Sequence, residues 1–161
     1  MATQPQRIAL PAALIGAAAV LIAETGGDMS KFGSPERLAA WVGVAPAVRE
    51  SAGKRTSAGS RRGSKFLTSM LVEAANSAAR TKNTYLASQF KRIASRRGHG
   101  RAAVAVAHSM LVSAYWMLVR DEAYQDLGPD WLSKRNDEAH ARRLVAQLER
   151  LGHTVVLDSV A

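Results

Sequence analysis

The sequence predicts a mostly α-helical, compact domain that carries one long basic loop. Apolar residues recur along most of the chain at the three-and-four spacing of a helix face. The length of 161 residues suits one domain with a buried core. Cysteine is absent and the four histidines show no paired ligand spacing, which leaves no disulfide framework and no zinc signature. We therefore expect a tail at residues 1–7 and a helical domain at residues 8–161.

The first helix is expected within residues 8–23, the uncharged run IALPAALIGAAAVLIA. It follows MATQPQR and loosely imitates a signal peptide, but it is short for a transmembrane span and continues into ETGGD rather than a small-residue cleavage site. We interpret it as a buried, alanine-rich helix. After a glycine-containing loop, a second helix is predicted with Ser34 as N-cap, Pro35 at its first position and Gly43 at its end.

Residues 44–63 are predicted to form a long loop, because they contain Pro46 and three glycines and show no apolar periodicity. Loops of this length in compact domains are commonly functional or disordered. In RESAGKRTSAGSRRGSKF, residues 49–66, six Lys or Arg, five Ser or Thr and three Gly accompany a single acid. Three interpretations compete: a solvated linker, a passive phosphate-binding loop, and a loop that presents a nucleophile to a phosphodiester.

Further helices are predicted after the basic loop. An amphipathic helix begins near Ser64, and the segment TYLASQFKRIASRRG forms the next. The cations at the end of that segment suit either the negative end of the helix dipole or contact with phosphate. The segment GRAAVAVAHSMLVSAYWMLVRD is apolar nearly all round and is expected to be the central buried helix. His108 within it is interpreted as a core or boundary residue rather than a catalytic base.

The end of the chain is predicted to contain a turn, a helix and a short strand. The stretch YQDLGPDWLSKRN predicts a turn built on Gly128 and Pro129. The stretch DEAHARRLVAQLERLG predicts an amphipathic helix that Gly152 closes. The β-branched run at residues 154–157 predicts one short C-terminal strand.

The charge of the chain indicates a polyanionic partner. The formal net charge is +9 and the isoelectric point is about 10.6. Lys and Arg gain free energy when they displace condensed counterions from nucleic acid. We therefore expect nucleic acid as a partner, with an anionic membrane as the weaker alternative, and the absence of cysteine favours a cytoplasmic location.

The basic loop supplies part of what a serine nucleophile requires. A serine needs a group that accepts its proton and a group that stabilises charge on the attacked phosphate. The second need is met, because six cations could neutralise phosphate and Gly53 allows close backbone approach; they are Arg49, Lys54, Arg55, Arg61, Arg62 and Lys65. The first need is not met, since no histidine is near Ser51 in the sequence and the adjacent Glu50 would tend to point elsewhere. Composition alone therefore favours a passive nucleic-acid-binding loop.

A longer set of motifs changes that balance. The stretch from ETGGDMSKFGSPERLAAWVG through PAVRESAGK, GSRRGSKF and KRIASRRG, followed by AAVAVAHSML and YQDLG, occurs here in one order. It resembles the carboxy-terminal transposase domain of the bacterial insertion-sequence family "one-ten", the bridge-RNA-guided serine recombinases. Members of that family carry an amino-terminal RuvC-like domain with acidic metal ligands, a coiled-coil connection and this helical domain.

The resemblance implies specific roles in the basic loop. The family's nucleophilic serine corresponds to Ser51 in PAVRESAGK, where it would attack a DNA phosphodiester and form a transient phosphoserine link. Gly53 and Lys54 belong to the same motif. Contact with the nucleic-acid backbone is implied for the following basic element, which comprises Arg61, Arg62, Gly63 and Lys65.

Two departures from the family pattern accompany the resemblance. The 161 residues contain no counterpart of the RuvC-like half, and the family's PGIG element is replaced by LPAALIGAAAV. We therefore expect no cofactor within this chain, Mg only in a RuvC-like domain, and no activity without that half. The family further implies a bridge RNA, a RuvC-like half or full-length transposase, and further copies of the chain as partners. The alternative is a non-catalytic nucleic-acid-binding remnant or a regulator of a full-length transposase.

Overall fold

The computed structural model describes residues 12–46, 48–51, 54–57 and 63–156. In this part of the chain a short 3₁₀ turn at Met29–Lys31 lies between the first two helices. The regular elements in chain order are α1 (Ala12–Thr25), α2 (Pro35–Val42), β1 (Val48–Ser51), β2 (Lys54–Ser57), α3 (Lys65–Arg80), α4 (Tyr85–Arg97), α5 (His99–Arg120) and α6 (Trp131–Arg150). The predicted mostly α-helical fold class is confirmed.

Local capping determines where three of the helices begin. The hydroxyl oxygens of Ser34, Ser64 and Thr84 each accept a hydrogen bond from the backbone amide three residues later, at 3.3 Å. Each bond satisfies an amide that has no partner inside its helix. Gly43 ends α2 in the left-handed conformation, with φ of 91°. The predicted limits of the second helix are therefore confirmed.

The core lies where α5 packs against α2, α3 and α4, and α1 packs against α3. Ala102, Val106 and Leu111 of α5 are fully buried, together with Leu38 of α2 and Leu67 of α3. This confirms α5 as the central core helix. Among the described helices, α5 alone is long and apolar enough to cross a membrane by length and composition. Its burial against three other helices accounts for the apolar residues of one face, whereas Trp116, Leu118 and Val119 near its end are exposed, so the prediction of a helix buried all round is wrong for that part.

The first helix is buried on one face only. Ala17 and Leu21 lie in the core, whereas Ile22 is 50% exposed. The prediction of a buried helix at residues 8–23 is therefore right for the face toward α3 and wrong for the face toward solvent. Residues 8–11 of that prediction lie outside the described residues.

Three predictions about loops and ends need correction. The supposed loop at residues 44–63 contains the β1–β2 hairpin, which apolar periodicity cannot detect because its strands are polar. Residues 154–156 form no strand, since no described neighbouring strand supplies hydrogen bonds to them; residue 157 lies outside the described part. Helix α6 begins at Trp131, inside the stretch predicted as a turn.

His108 makes the stability of this fold depend on pH. Its side chain is half-buried on α5, and burial lowers the pKa of the imidazole below its ordinary value of 6.5, while Glu36 opposes the shift. The unfolded chain therefore binds a proton more readily, and stability is lost as the pH falls through 6.5 toward the lowered pKa. We expect the free energy of unfolding to decrease less between about pH 7.5 and about pH 5.5 in His108→Gln than in the wild type. Equal decreases in denaturant titrations of the two proteins would contradict this role.

Candidate nucleic-acid interface

The polar hairpin is the element on which most of the predicted site residues lie. β1 and β2 pair antiparallel, with Val48 opposite Ser57 and Ser51 opposite Lys54. Ser51 is the last residue of β1 and Lys54 the first of β2, so the pair closes the ribbon next to its two-residue connection. The structure therefore places the predicted nucleophile at the end of the ribbon farthest from where its two strands join the helices.

The register of the hairpin sorts its residues onto two faces. In an antiparallel ribbon, cross-strand partners share a face and successive residues alternate between faces. Ser51 and its partner Lys54 therefore share one face with Arg49. Glu50 and its partner Arg55 share the other face. The register thus groups the serine with two cations and assigns the neighbouring acid to the opposite side.

The chain leaves the helical body at the end of α2. Gly43 has a positive φ, which glycine adopts without steric cost. The amides of residues 43–45 all donate to the carbonyl oxygen of Ala39, at 3.0–3.1 Å. Val44 is 2% exposed and belongs to the core cluster. The segment that leads into β1 is therefore attached to the core immediately before the hairpin begins.

After the hairpin, the chain returns to the helical body at the same place, the end of α2. The Thr68 hydroxyl of α3 donates to the carbonyl oxygen of Val42 at 2.7 Å. Gly63 lies so close to this carbonyl that a Cβ atom built on residue 63 would overlap it. The end of α2 thus contacts both the residue that leaves toward the hairpin and the residue that returns from it.

A second contact fixes the start of α3. The hydroxyl of Ser64 donates to Glu24 Oε1 of α1 at 3.0 Å and accepts a hydrogen bond from the amide of Leu67 at 3.3 Å. Ser64 therefore caps α3 and links it to the end of α1. Because its hydroxyl already takes part in two hydrogen bonds, Ser64 has a structural role at the base of the hairpin.

The predicted binding residues are placed as follows. The backbone of Arg49, Lys54 and Arg55 lies in the hairpin. Lys65 is exposed at the first position of α3, next to Phe66, which is 62% exposed. Predictions that fall outside the described residues concern Gly53, Arg61 and Arg62.

Sequence reasoning missed the residues that attach the two ends of the hairpin segment to the helices. Thr68 and Glu24 bond to groups 26 and 40 positions away, and no local pattern indicates such partners. The hairpin itself left a weak signal, since the dipeptide Ala-Gly at residues 52–53 separates two short polar segments. Within the described part of the chain, no group of three or more His, Asp or Glu residues is arranged to hold a metal ion.

Comparison with known proteins gives one match. A family model described as the Transposase IS116/IS110/IS902 family matches residues 10–92, just over half of the chain. The match includes α1, α2, the hairpin, α3 and the first part of α4. No curated protein and no solved structure matches the chain.

The close approach of Gly63 to Val42 can be tested by substitution. We expect Gly63→Ala to lower the free energy of unfolding by about 1–3 kcal/mol, because the added Cβ overlaps the Val42 carbonyl and the backbone must shift. The matched control is Gly100→Ala in α5, where an added Cβ meets no atom within 4 Å. That change is expected to be neutral or to stabilise by up to about 1 kcal/mol. Denaturant titrations followed by circular dichroism compare the two, and equal effects would show that residue 63 is not closely packed.

Proposed function

Because this chain belongs to the IS116/IS110/IS902 transposase family, we propose that it is a DNA-binding recombinase domain whose nucleophile is Ser51. Membership of this family supports a role in insertion-sequence transposition. The observation that supports Ser51 as the nucleophile is the hairpin register, which groups Ser51 with Arg49 and Lys54 at the end of a ribbon. In this function the domain cleaves a DNA strand and exchanges it for another.

The proposed reaction is a phosphoryl transfer to serine. The Ser51 hydroxyl oxygen attacks the phosphorus of a DNA phosphodiester, a bond from that oxygen to phosphorus forms, and the bond from phosphorus to one deoxyribose oxygen breaks. The proton that leaves the serine is balanced by the proton that the deoxyribose oxygen takes up. The resulting phosphoserine retains the energy of the phosphodiester, so that the hydroxyl end of another strand can reverse the step and complete the exchange.

The cations on the same face of the ribbon support this reaction electrostatically. Negative charge increases on the phosphoryl oxygens when the nucleophile attacks, and positioned cations stabilise that charge. Arg49 and Lys54 are the two cations that the register groups with Ser51. Arg presents a planar donor fork that matches a phosphate, whereas Lys acts as a compact charge. We assign the phosphate that is attacked to this face.

We assign the group that activates the serine to residues outside these 161 residues. Glu50 lies on the opposite face of the ribbon from Ser51. The described residues do not fit a catalytic metal site, since they include no group of acids or histidines of that kind. The proposal therefore requires acidic residues of a RuvC-like half, and it assigns the choice of target to a bridge RNA.

Other hydroxyls of the basic segment are less suited to this role. Ser64 is engaged as the cap of α3 and as a donor to Glu24. Ser57 pairs with Val48 at the opposite end of the ribbon from Ser51. Ser51 is thus the hairpin serine that lies both next to the connection and on the face of Arg49 and Lys54.

DNA affinity should depend on the hairpin cations. In the triple variant Arg49→Gln/Lys54→Gln/Arg55→Gln, the slope of log affinity against log salt should fall by up to about 0.9 for each phosphate that the variant no longer neutralises. The control removes the same charge from exposed positions of α6 through Lys134→Gln/Arg143→Gln/Arg150→Gln. Its slope should change little. A wild-type affinity that does not vary with salt, measured by fluorescence anisotropy with duplex DNA, would be incompatible with this function.

The nucleophile is tested in a reconstituted reaction. The chain alone should bind DNA without strand exchange. When a RuvC-like half, a matching guide RNA, a divalent metal ion and cognate DNA are supplied, a covalent protein–DNA species should form that survives denaturing electrophoresis. Ser51→Ala should abolish this species and leave DNA binding nearly unchanged, whereas Ser57→Ala should retain it.

The outcomes of this reaction separate the alternatives. Loss of the covalent species in a variant of Ser57, Ser60 or Ser64, with Ser51→Ala still active, would assign the role to another hydroxyl. Ser64→Ala needs a stability control, because removal of an N-cap costs about 1 kcal/mol. If no serine variant affects the reaction, the domain is a non-catalytic nucleic-acid-binding remnant.

A further inference from the structure

A second concentration of positive charge lies away from the hairpin, where α4 meets α5. Gly98 joins the two helices, with Arg96 and Arg97 in the last turn of α4 and Arg101 in the first turn of α5. Lys91 lies on α4 before them. All four side chains are exposed. We call these four residues the α4–α5 corner.

The charge of the corner is not balanced by nearby acids in the sequence. Residues 74–120 contain eight Lys or Arg and no Asp or Glu. Among the described residues, Lys31 and Asp28 form an ion pair, and it lies far from the corner in sequence. None of the four corner cations forms an ion pair with a described carboxylate.

The helix dipole explains only part of this arrangement. Arg96 and Arg97 lie at the negative end of α4, where cations are favourable. Arg101 lies at the positive end of α5, where a cation is unfavourable, and the first turn of α5 contains no acid. The helix dipole therefore favours the two arginines of α4 but not Arg101, and a bound anion would offset the unfavourable position of Arg101.

The corner is accessible and its two helices are held together. A Cβ built on Gly98 or Gly100 would meet no atom within 4 Å, so the surface there is open. Gln89 Nε2 donates to Ser109 Oγ at 2.9 Å, and the rings of Phe90 and His99 meet edge to face with centroids 5.0 Å apart. The spacing between the cations of α4 and the cation of α5 is thus set by packed helices rather than by a loop.

We propose that the α4–α5 corner is a second contact for the phosphate backbone of DNA, independent of base sequence. The inference rests on the proposed function, but it concerns a surface that extends past residue 92, where the family match ends. An anionic membrane is disfavoured, because no large apolar side chain of α4 or of the first two turns of α5 is exposed beside the corner, and peripheral membrane helices need one to insert. The corner holds the duplex while the hairpin contacts the phosphate to be cleaved.

The test uses the full chain and the variant Arg96→Gln/Arg97→Gln/Arg101→Gln. Fluorescence anisotropy over a salt series, with two unrelated DNA duplexes as probes, compares it with the α6 variant Lys134→Gln/Arg143→Gln/Arg150→Gln and with the hairpin triple variant. The corner variant should lower the slope of log affinity against log salt by up to about 0.9 for each phosphate left without its cation, equally for both duplexes. The α6 variant should behave like the wild type.

A second measurement distinguishes binding from structural roles. Without DNA and at low salt, the single variant Arg101→Gln should unfold at the same denaturant concentration as the wild type or a higher one, because it removes a cation from the positive end of α5. A clear loss of stability in Arg101→Gln would show that this arginine has a structural role and would overturn the inference.

The remaining outcomes separate this inference from the proposed function. If the hairpin variant binds more weakly but the corner variant matches the α6 variant, the corner inference is overturned and the proposed function stands. If the corner variant binds more weakly and the hairpin variant matches the α6 variant, the corner inference stands and the role of the hairpin fails. Binding of the wild type to phosphatidylserine vesicles but to neither duplex would overturn both.

Discussion

The backbone carbonyl of Val42 is the point at which the segment that contains the hairpin leaves and rejoins the helical body. As part of the last turn of α2 it has no partner within its own helix, and the Thr68 hydroxyl of α3 supplies one at 2.7 Å. Gly63 can approach this carbonyl because it has no Cβ. Since Val44 enters the core directly after α2, the chain leaves and returns within a few residues of one helix end.

This attachment explains how a polar hairpin belongs to a domain whose core is made of alanine and leucine. An isolated two-stranded ribbon is marginally stable in water. Here the chain is attached to the helical body on both sides of the ribbon, through Thr68 and the Val42 carbonyl before it and through Glu24 and Ser64 after it. The helices therefore fix the two ends of the segment that contains the ribbon, and the strands carry hydroxyls and cations instead of an apolar face.

The two positively charged surfaces have a common physical logic. The net charge of +9 repels itself in the free protein, and part of it lies at the positive end of α5, where it is least favourable. A polyanion removes this repulsion and releases its own counterions at the same time. The hairpin groups Ser51 with Arg49 and Lys54, and the α4–α5 corner holds four further cations. The two surfaces would then contact different phosphates of one ligand.

The mostly helical fold could be predicted from the sequence, as could the helix starts at Ser34, Ser64 and Thr84, the central position of α5 and the location of the basic segment. These features depend on interactions between residues a few positions apart and on apolar periodicity, and both are visible in a linear sequence. The packing of the whole chain was needed to show that residues 48–57 include a hairpin, that its register groups Ser51 with Arg49 rather than with Glu50, and that one face of α1 is exposed. It also decided that residues 154–156 form no strand. The physical reason is that polar strands have no apolar alternation to reveal them, and that bonds such as Glu24 to Ser64 join groups 40 positions apart, which only the packing of helices brings together.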